Sequence, residues 1–171
     1  MSEKQNIVLI GLMGSGKTSV AKCLEDKLSS MTYVDTDIEI EKLENKTISQ
    51  IFAEKGEDYF RHLESWVAEK FAQIPKLIIA TGGGIAQNEQ NLENLRKKGV
   101  IFYLSADIET LCKRLESDNT RPLLENCNTA ERLSEILERR EGNYKKADHI
   151  IEIANKTPEQ IAEEIIKIYE S

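Results

Sequence analysis

Gly11-Leu12-Met13-Gly14-Ser15-Gly16-Lys17-Thr18 matches the pattern G-x-x-x-x-G-K-[ST] at every fixed position. Glycines let the backbone curl so that successive N–H groups point at one anion. A helix opening near Lys17 adds the positive end of its dipole. Lys17 can then reach the β- and γ-phosphates of a nucleotide, and the Thr18 hydroxyl can ligate magnesium. The competing reading is a glycine-rich turn between strand and helix. The apolar run 7–10 before it and the amphipathic stretch after it supply the context that phosphate binding requires.

The chain holds no D-x-x-G and no N-K-x-D, which argues against a guanine-nucleotide switch. Its other chemical residues fit a second, small substrate. Asp35-Thr36-Asp37 puts two carboxylates two residues apart, pointing the same way if the strand persists. One could support a magnesium shell and the other accept from substrate hydroxyls; the alternative is a helix-capping aspartate. Thr81-Gly82-Gly83-Gly84 leaves a bare backbone that a ligand can approach closely, where a plain turn needs one glycine. Arg140 shares a helical face with Leu133, Ile136, Leu137 and Tyr144. An arginine facing inward needs an anionic partner, which is either a ligand or an internal salt bridge. Arg61 lies beside an apolar stripe with Glu64 at i+3 to orient it, or to make an ordinary surface pair. The polar stretch 117–129 reads as a lid, with Arg121 as its transition-state arginine. Arg114 could cover an adenine ring or lie on a solvated helix face.

These residues need a scaffold that brings distant segments to one edge. Apolar runs at 7–10, 77–80, 100–104 and 150–153, with a weaker one at 31–35, read as strands of a parallel sheet, most of them buried on both faces. Helical stripes lie between them: Val20, Leu24 and Leu28; Phe60, Leu63, Val67 and Phe71; Leu111 and Leu115. Thr157-Pro158-Glu159-Gln160 opens the last helix with a capping box. The expected fold is α/β, a three-layer, five-stranded parallel sheet flanked by helices. Ligands of such sheets sit beyond the carboxyl ends of the strands, which is where the motifs fall.

Composition narrows the function. One domain is expected over residues 1–171, with 23 basic and 30 acidic side chains and a net charge of −7. Neither nucleic acid nor a membrane surface is expected as a partner, since both need a basic face. Run 7–10 is too short to span a membrane. Three scattered cysteines, Cys23, Cys112 and Cys127, make no disulfide framework. Cys23 and Cys112 are expected as small buried hydrophobes, Trp66 as core or pocket wall, and the chain as a cytoplasmic monomer.

Taken in order, residues 11–18, Asp35-Thr36-Asp37, Phe60-Arg61-His62-Leu63-Glu64, Thr81-Gly82-Gly83-Gly84, Arg121-Pro122-Leu123-Leu124 and Arg140-Glu141-Gly142-Asn143-Tyr144 resemble the shikimate kinase family, in the nucleoside-monophosphate-kinase branch of P-loop proteins. The resemblance spans nearly the whole chain. It implies transfer of the ATP γ-phosphate to the 3-hydroxyl of shikimate, with Mg2+, in the chorismate route to aromatic amino acids. It implies that Gly14, Ser15, Gly16, Lys17, Thr18 and Ser19 hold the ATP phosphates, with Thr18 and Asp35 on magnesium. Asp37, Arg61, Gly82, Gly83, Gly84 and Arg140 would hold shikimate, within a substrate-binding helical segment near 37–65 and beyond it. Arg121 would close over ATP from the lid, Arg114 would lie against adenine, and the adenine loop would include Lys156 and Thr157. Lys17, Asp37 and Arg121 would be the catalytic set. A gluconate kinase, or a nucleotide-binding module without turnover, is the alternative.

Overall fold

A computed structural model describes residues 4–116 and 129–171. Its strands are β1 (Asn6–Ile10), β2 (Thr32–Asp35), β3 (Leu77–Ala80), β4 (Gly99–Ser105) and β5 (His149–Glu152). All pair in parallel, in the order β2-β3-β1-β4-β5. The seven α-helices among the described residues are α1 (Lys17–Lys27), α2 (Thr36–Glu44), α3 (Ile48–Gln73), α4 (Glu89–Arg96), α5 (Ile108–Glu116), α6 (Thr129–Tyr144) and α7 (Pro158–Glu170). A short 3-10 turn, Ile85–Gln87, precedes α4.

Strand order fixes where the helices go. The path from β1 to β2 runs one way across the sheet, whereas every later crossover runs the other way. Right-handed crossovers therefore put α1 on one face and the helices between β2 and β5 on the opposite face. The packing agrees: α1 lies against α7, and α3 against α2 and α4. Beyond the adjacent strands β1 and β3, the chain leaves toward opposite faces. That divergence opens a crevice at their carboxyl ends.

Burial follows position in the sheet. Central β1 and β3 are buried at every residue. Edge strands β2 and β5 are not, and Ile150 is 48% exposed. Burial on both faces thus holds for the inner strands and fails at β5, whose outer flank no strand covers. The helical stripes supply the rest of the core: Val20 and Leu24, Phe60, Val67 and Phe71, Leu111 and Leu115, Leu133 and Tyr144, Ile161 and Ile165. α7 opens with the expected box, Thr157 accepting from the Gln160 N–H while Gln160 accepts from the Thr157 N–H. α3 is broken at Gly56, whose φ of 82° lies in the left-handed region glycine favours.

Two expected burials fail. Trp66 is 48% exposed, with the Lys70 ammonium over its ring, because it points off the outer side of α3. Cys23 and Cys112 are only half-buried; Cys127 lies outside the described residues.

Candidate functional site

The phosphate loop follows β1 directly. Gly14 and Gly16 have φ of 85° and 81°, so the curl that aims N–H groups at an anion uses conformations a side chain would strain. A Cβ on Gly14 would also stand 2.9 Å from Leu115 Cγ. Lys17 folds across the loop, its Nζ donating to the carbonyls of Gly11 (2.6 Å) and Leu12 (3.2 Å) and reaching the Ser15 hydroxyl at 3.4 Å. Ser15 is buried, while Thr18 and Ser19 are exposed in the first turn of α1.

Asp35 ends β2 and plays two parts. Its Oδ1 caps α2, accepting from the N–H groups of Asp37 (2.9 Å) and Ile38 (3.2 Å). Its Oδ2 faces Thr18 Oγ1 at 3.5 Å and Tyr33 OH at 3.3 Å. One oxygen thus caps the helix, and the other faces the Thr18 hydroxyl of the phosphate loop's helix.

β3 delivers the glycine run, and three charged side chains converge on it. A Cβ on Gly82 would lie 2.4 Å from Asp37 Oδ1, and one on Gly84 2.1 Å from Arg61 Nη1. On Gly83 it would lie 3.3 Å from Arg140 Nη1, with Gly11 O and Met13 N of the phosphate loop at 3.8 and 3.9 Å. The run therefore has to be bare: it forms a floor shared by Asp37, Arg61 and Arg140 on one side and the phosphate loop on the other. Behind Gly84 a cleft of about 220 Å³ is lined by Arg61, Glu64, Gln87, Asn88 and Asn91.

The two arginines differ electrostatically. Arg61 is ion-paired to Glu64 (2.6 Å) and Glu57 (3.2 Å). Burial pushes the Glu64 carboxyl above its usual range, opposed by Arg61 and Arg140. Arg140 meets a neutral partner: with the Gln87 amide oxygen turned toward it, Gln87 accepts from Nη2 at 2.9 Å and Nε at 2.8 Å.

Arg114 lies at the other end of the phosphate loop. Its Nη1 would be 2.8 Å from a Cβ on Gly16, and its Nη2 is 3.4 Å from the carbonyls of Ile153 and Lys156. The structure thus brings Arg114 and the segment before α7 together beside the loop. Within that segment the Thr157 hydroxyl serves as helix cap and the Lys156 ammonium pairs with Glu164 at 2.6 Å. Arg121 and lid residues 117–128 lie outside the described residues.

Sequence reasoning missed three supports. Thr36, between the two aspartates, is fully buried, and its hydroxyl accepts from the Gly82 N–H at 2.8 Å. The Tyr144 hydroxyl donates to the Gly83 carbonyl. Gln87 belongs to no motif. A buried Thr between two charges was the one available signal; the other two contacts depend on packing between distant segments.

A phosphate loop and a glycine floor ringed by one aspartate and two arginines, set across a switch-point crevice, define a P-loop kinase of the nucleoside-monophosphate-kinase type, acting on a small acceptor. A family model described as shikimate kinase matches residues 13–170. A shikimate kinase from Thermodesulfovibrio yellowstonii is 44% identical over 97% of this chain and 95% of its own length. A shikimate kinase from Acinetobacter baumannii, solved in complex with shikimate, aligns with a TM-score of 0.88 at 33% identity, covering 98% of this chain and 93% of that one. This chain belongs to the shikimate kinase family. A Sinorhizobium meliloti gluconokinase is similar at a TM-score of 0.64 but 14% identity, over 98% of this chain and 93% of that one; that likeness concerns the fold alone.

Proposed function

We propose that the crevice between β1 and β3 is where this chain carries out its family's reaction. That reaction is transfer of the ATP γ-phosphoryl group to the 3-hydroxyl of shikimate, giving shikimate 3-phosphate for aromatic amino-acid biosynthesis. The single observation that carries the site assignment is the convergence of Asp37, Arg61 and Arg140 on Gly82-Gly83-Gly84, within 4 Å of phosphate-loop atoms at Gly83.

Phosphoryl transfer asks mainly for positioning and charge neutralisation. Arg61 and Arg140 hold the shikimate carboxylate, through a guanidinium geometry that matches two carboxylate oxygens. Arg140 is the less offset of the two: its hydrogen-bond partner Gln87 is neutral and Glu64 acts on it only at a distance, whereas Glu64 and Glu57 are ion-paired to Arg61. Asp37 orients the acceptor hydroxyl and takes its proton. Gly14 to Ser19 cradle the phosphates, Lys17 leaves its loop carbonyls for them, and Arg121 closes from the lid. Arg114, with Lys156 and Thr157 nearby, lies against adenine.

The Thr18 hydroxyl and the Asp35 carboxylate are hard oxygen donors 3.5 Å apart, the donor type magnesium takes while keeping several of its waters. Bound there, the ion would neutralise phosphate charge. The net charge of −7 and a small polar substrate pair fit a cytoplasmic monomer with no nucleic-acid or membrane partner. Among the described residues no helix is long and apolar enough to cross a membrane.

One assay tests the reading: ADP release with ATP and magnesium against shikimate, gluconate and nucleoside monophosphates. Turnover with shikimate alone is the expected result. Turnover with gluconate, or with no acceptor at all, would overturn it.

A further inference from the structure

We propose that Gln87 is a positioning residue for the acceptor site, fixing the Arg140 guanidinium so that a defined edge meets the substrate carboxylate. The proposal rests on the reading of Arg140 as the carboxylate partner and adds what orients it.

A guanidinium carries five N–H donors in a rigid planar fork. With the Gln87 amide turned so that its oxygen, not its NH2 group, faces the guanidinium, it accepts from Nε and Nη2 together, at 2.8 and 2.9 Å. One edge of the fork is thereby occupied. The donors not bonded to Gln87 are both on Nη1 and the outer one on Nη2, which is the end-on edge; the Tyr144 hydroxyl, which donates to the Gly83 carbonyl, also meets Arg140. Nη1 is the atom that stands over Gly83, 3.3 Å from where a Cβ would be. Gln87 thus selects the edge that faces the floor.

The backbone reinforces this. Gln87 closes the turn Ile85–Gln87, its N–H donating to the Gly84 carbonyl at 3.1 Å. Its own carbonyl accepts from Asn143 Nδ2, one helical turn along α6 from Arg140, at 3.5 Å. The side chain is therefore tied to the glycine run behind it and to the helix that carries Arg140. It also lines the 220 Å³ cleft with Arg61 and Glu64.

Chemical type matters as much as placement. A glutamate here would also accept from Nε and Nη2, but it would neutralise the charge and compete with the substrate carboxylate. An amide orders the arginine and leaves its full charge available.

Gln87 is exposed, so substitution should leave folding intact. Steady-state kinetics on Gln87→Met, Gln87→Glu, Arg140→Ala and the double variant Gln87→Met/Arg140→Ala test the idea. Gln87→Met should raise KM for shikimate about three- to tenfold, with kcat changed by less than about threefold and KM for ATP unchanged, because the guanidinium keeps its charge and loses only its fixed orientation. Gln87→Glu should raise it further. In the Arg140→Ala background, Gln87→Met should have no added effect, since its action runs through Arg140. If Arg140→Ala leaves shikimate KM unchanged, the carboxylate reading fails. If Arg140→Ala raises KM but Gln87→Met does not, or if the effect of Gln87→Met persists without Arg140, the positioning role fails. Gln87→Leu replaces Gln87→Met should circular dichroism show that the latter is misfolded.

Discussion

Gly84→Ala tests whether the glycine floor is bare in order to seat Arg61. Gly84 has φ −93° and ψ −5°, a conformation alanine adopts without strain. Its backbone therefore does not require glycine; only the space in front of it does. A Cβ there would lie 2.1 Å from Arg61 Nη1, 2.8 Å from Cζ and 3.0 Å from Nη2. Ordinary contact is about 3.5 Å or more, so the guanidinium must retreat by more than an ångström. It has no slack, because Nη1 is bonded to Glu64 at 2.6 Å and Nη2 to Glu57 at 3.2 Å. Glu64 is 1% exposed, and a displaced Arg61 leaves that carboxylate short of its partner. Losing one charge-assisted bond costs about 1.5–3 kcal/mol, tenfold or more in affinity. KM for shikimate should rise by at least that factor while KM for ATP stays within about twofold. Melting temperature should fall by roughly 3–12 °C, taking about 2–4 °C per kcal/mol at this size. Gly142→Ala is the control: a Cβ at Gly142 meets nothing within 4 Å, and alanine within α6 should stabilise by about 0.5–1 kcal/mol. Steady-state kinetics and thermal melts on the two variants measure both effects. A Gly84→Ala enzyme with unchanged shikimate KM would refute the claim that the floor is bare in order to seat Arg61.

Three further outcomes are expected. Lys17→Ala should nearly abolish turnover with far-UV circular dichroism intact, because its Nζ reaches loop acceptors at Gly11, Leu12 and Ser15 rather than the core; near-normal kcat would reject its catalytic role. Arg121→Ala should lower kcat by about a thousandfold while shikimate binding, read by titration, changes little; the reverse split would move Arg121 to the acceptor site. Glu64, whose carboxyl burial holds above its ordinary range, binds its proton more tightly folded than unfolded. Its contribution to stability is full below the ordinary glutamate pKa of about 4.3 and is lost as pH rises through the higher folded value. Glu64→Gln should therefore flatten the decline of melting temperature over that interval, and an unchanged pH profile would contradict the assignment.

The sheet was legible because its inner strands are unbroken apolar runs: residues 7–10 and 77–80 can be little else. Edge strand β5 was located but misjudged in burial. Ile150 and Ile151 look alike in sequence, yet Ile150 is 48% exposed and Ile151 1%, since only position in the strand order decides which face is covered. Trp66 failed for a related reason: a large aromatic on an amphipathic helix can sit just outside the buried arc. At the site, residues following strands were legible, because a parallel sheet gathers strand ends at one edge. Gln87 was not. It lies in a 3-10 turn with no motif around it, and its importance depends on α6 arriving from more than fifty residues away. Asp35 left two readings open, cap and ion support. The cap is what the structure shows, through Oδ1; Oδ2 faces Thr18 and Tyr33 instead, and ion support stays part of the proposed function.

Gly83 explains why the floor and the phosphate loop act as one unit. A Cβ on it would meet Arg140 Nη1 at 3.3 Å, Gly11 O at 3.8 Å and Met13 N at 3.9 Å, so acceptor arginine and phosphate loop are separated by a single residue without a side chain. Its carbonyl is held by the Tyr144 hydroxyl, and Tyr144 in turn stacks on Tyr103 of β4 with ring centroids 5.1 Å apart. The adjoining Gly82 N–H is held by buried Thr36 at 2.8 Å, and the Thr81 side chain by the Leu9 carbonyl at 2.8 Å. Four elements, β1, α2, α6 and β4, thus pin a run that three consecutive glycines would otherwise leave flexible. On the proposed reading, glycine there lets two substrates approach each other, and the anchors remove the mobility that glycine brings. Transfer between them needs near-attack geometry to within a fraction of an ångström. In that reading, a floor one residue thick would supply this without any side chain between donor and acceptor.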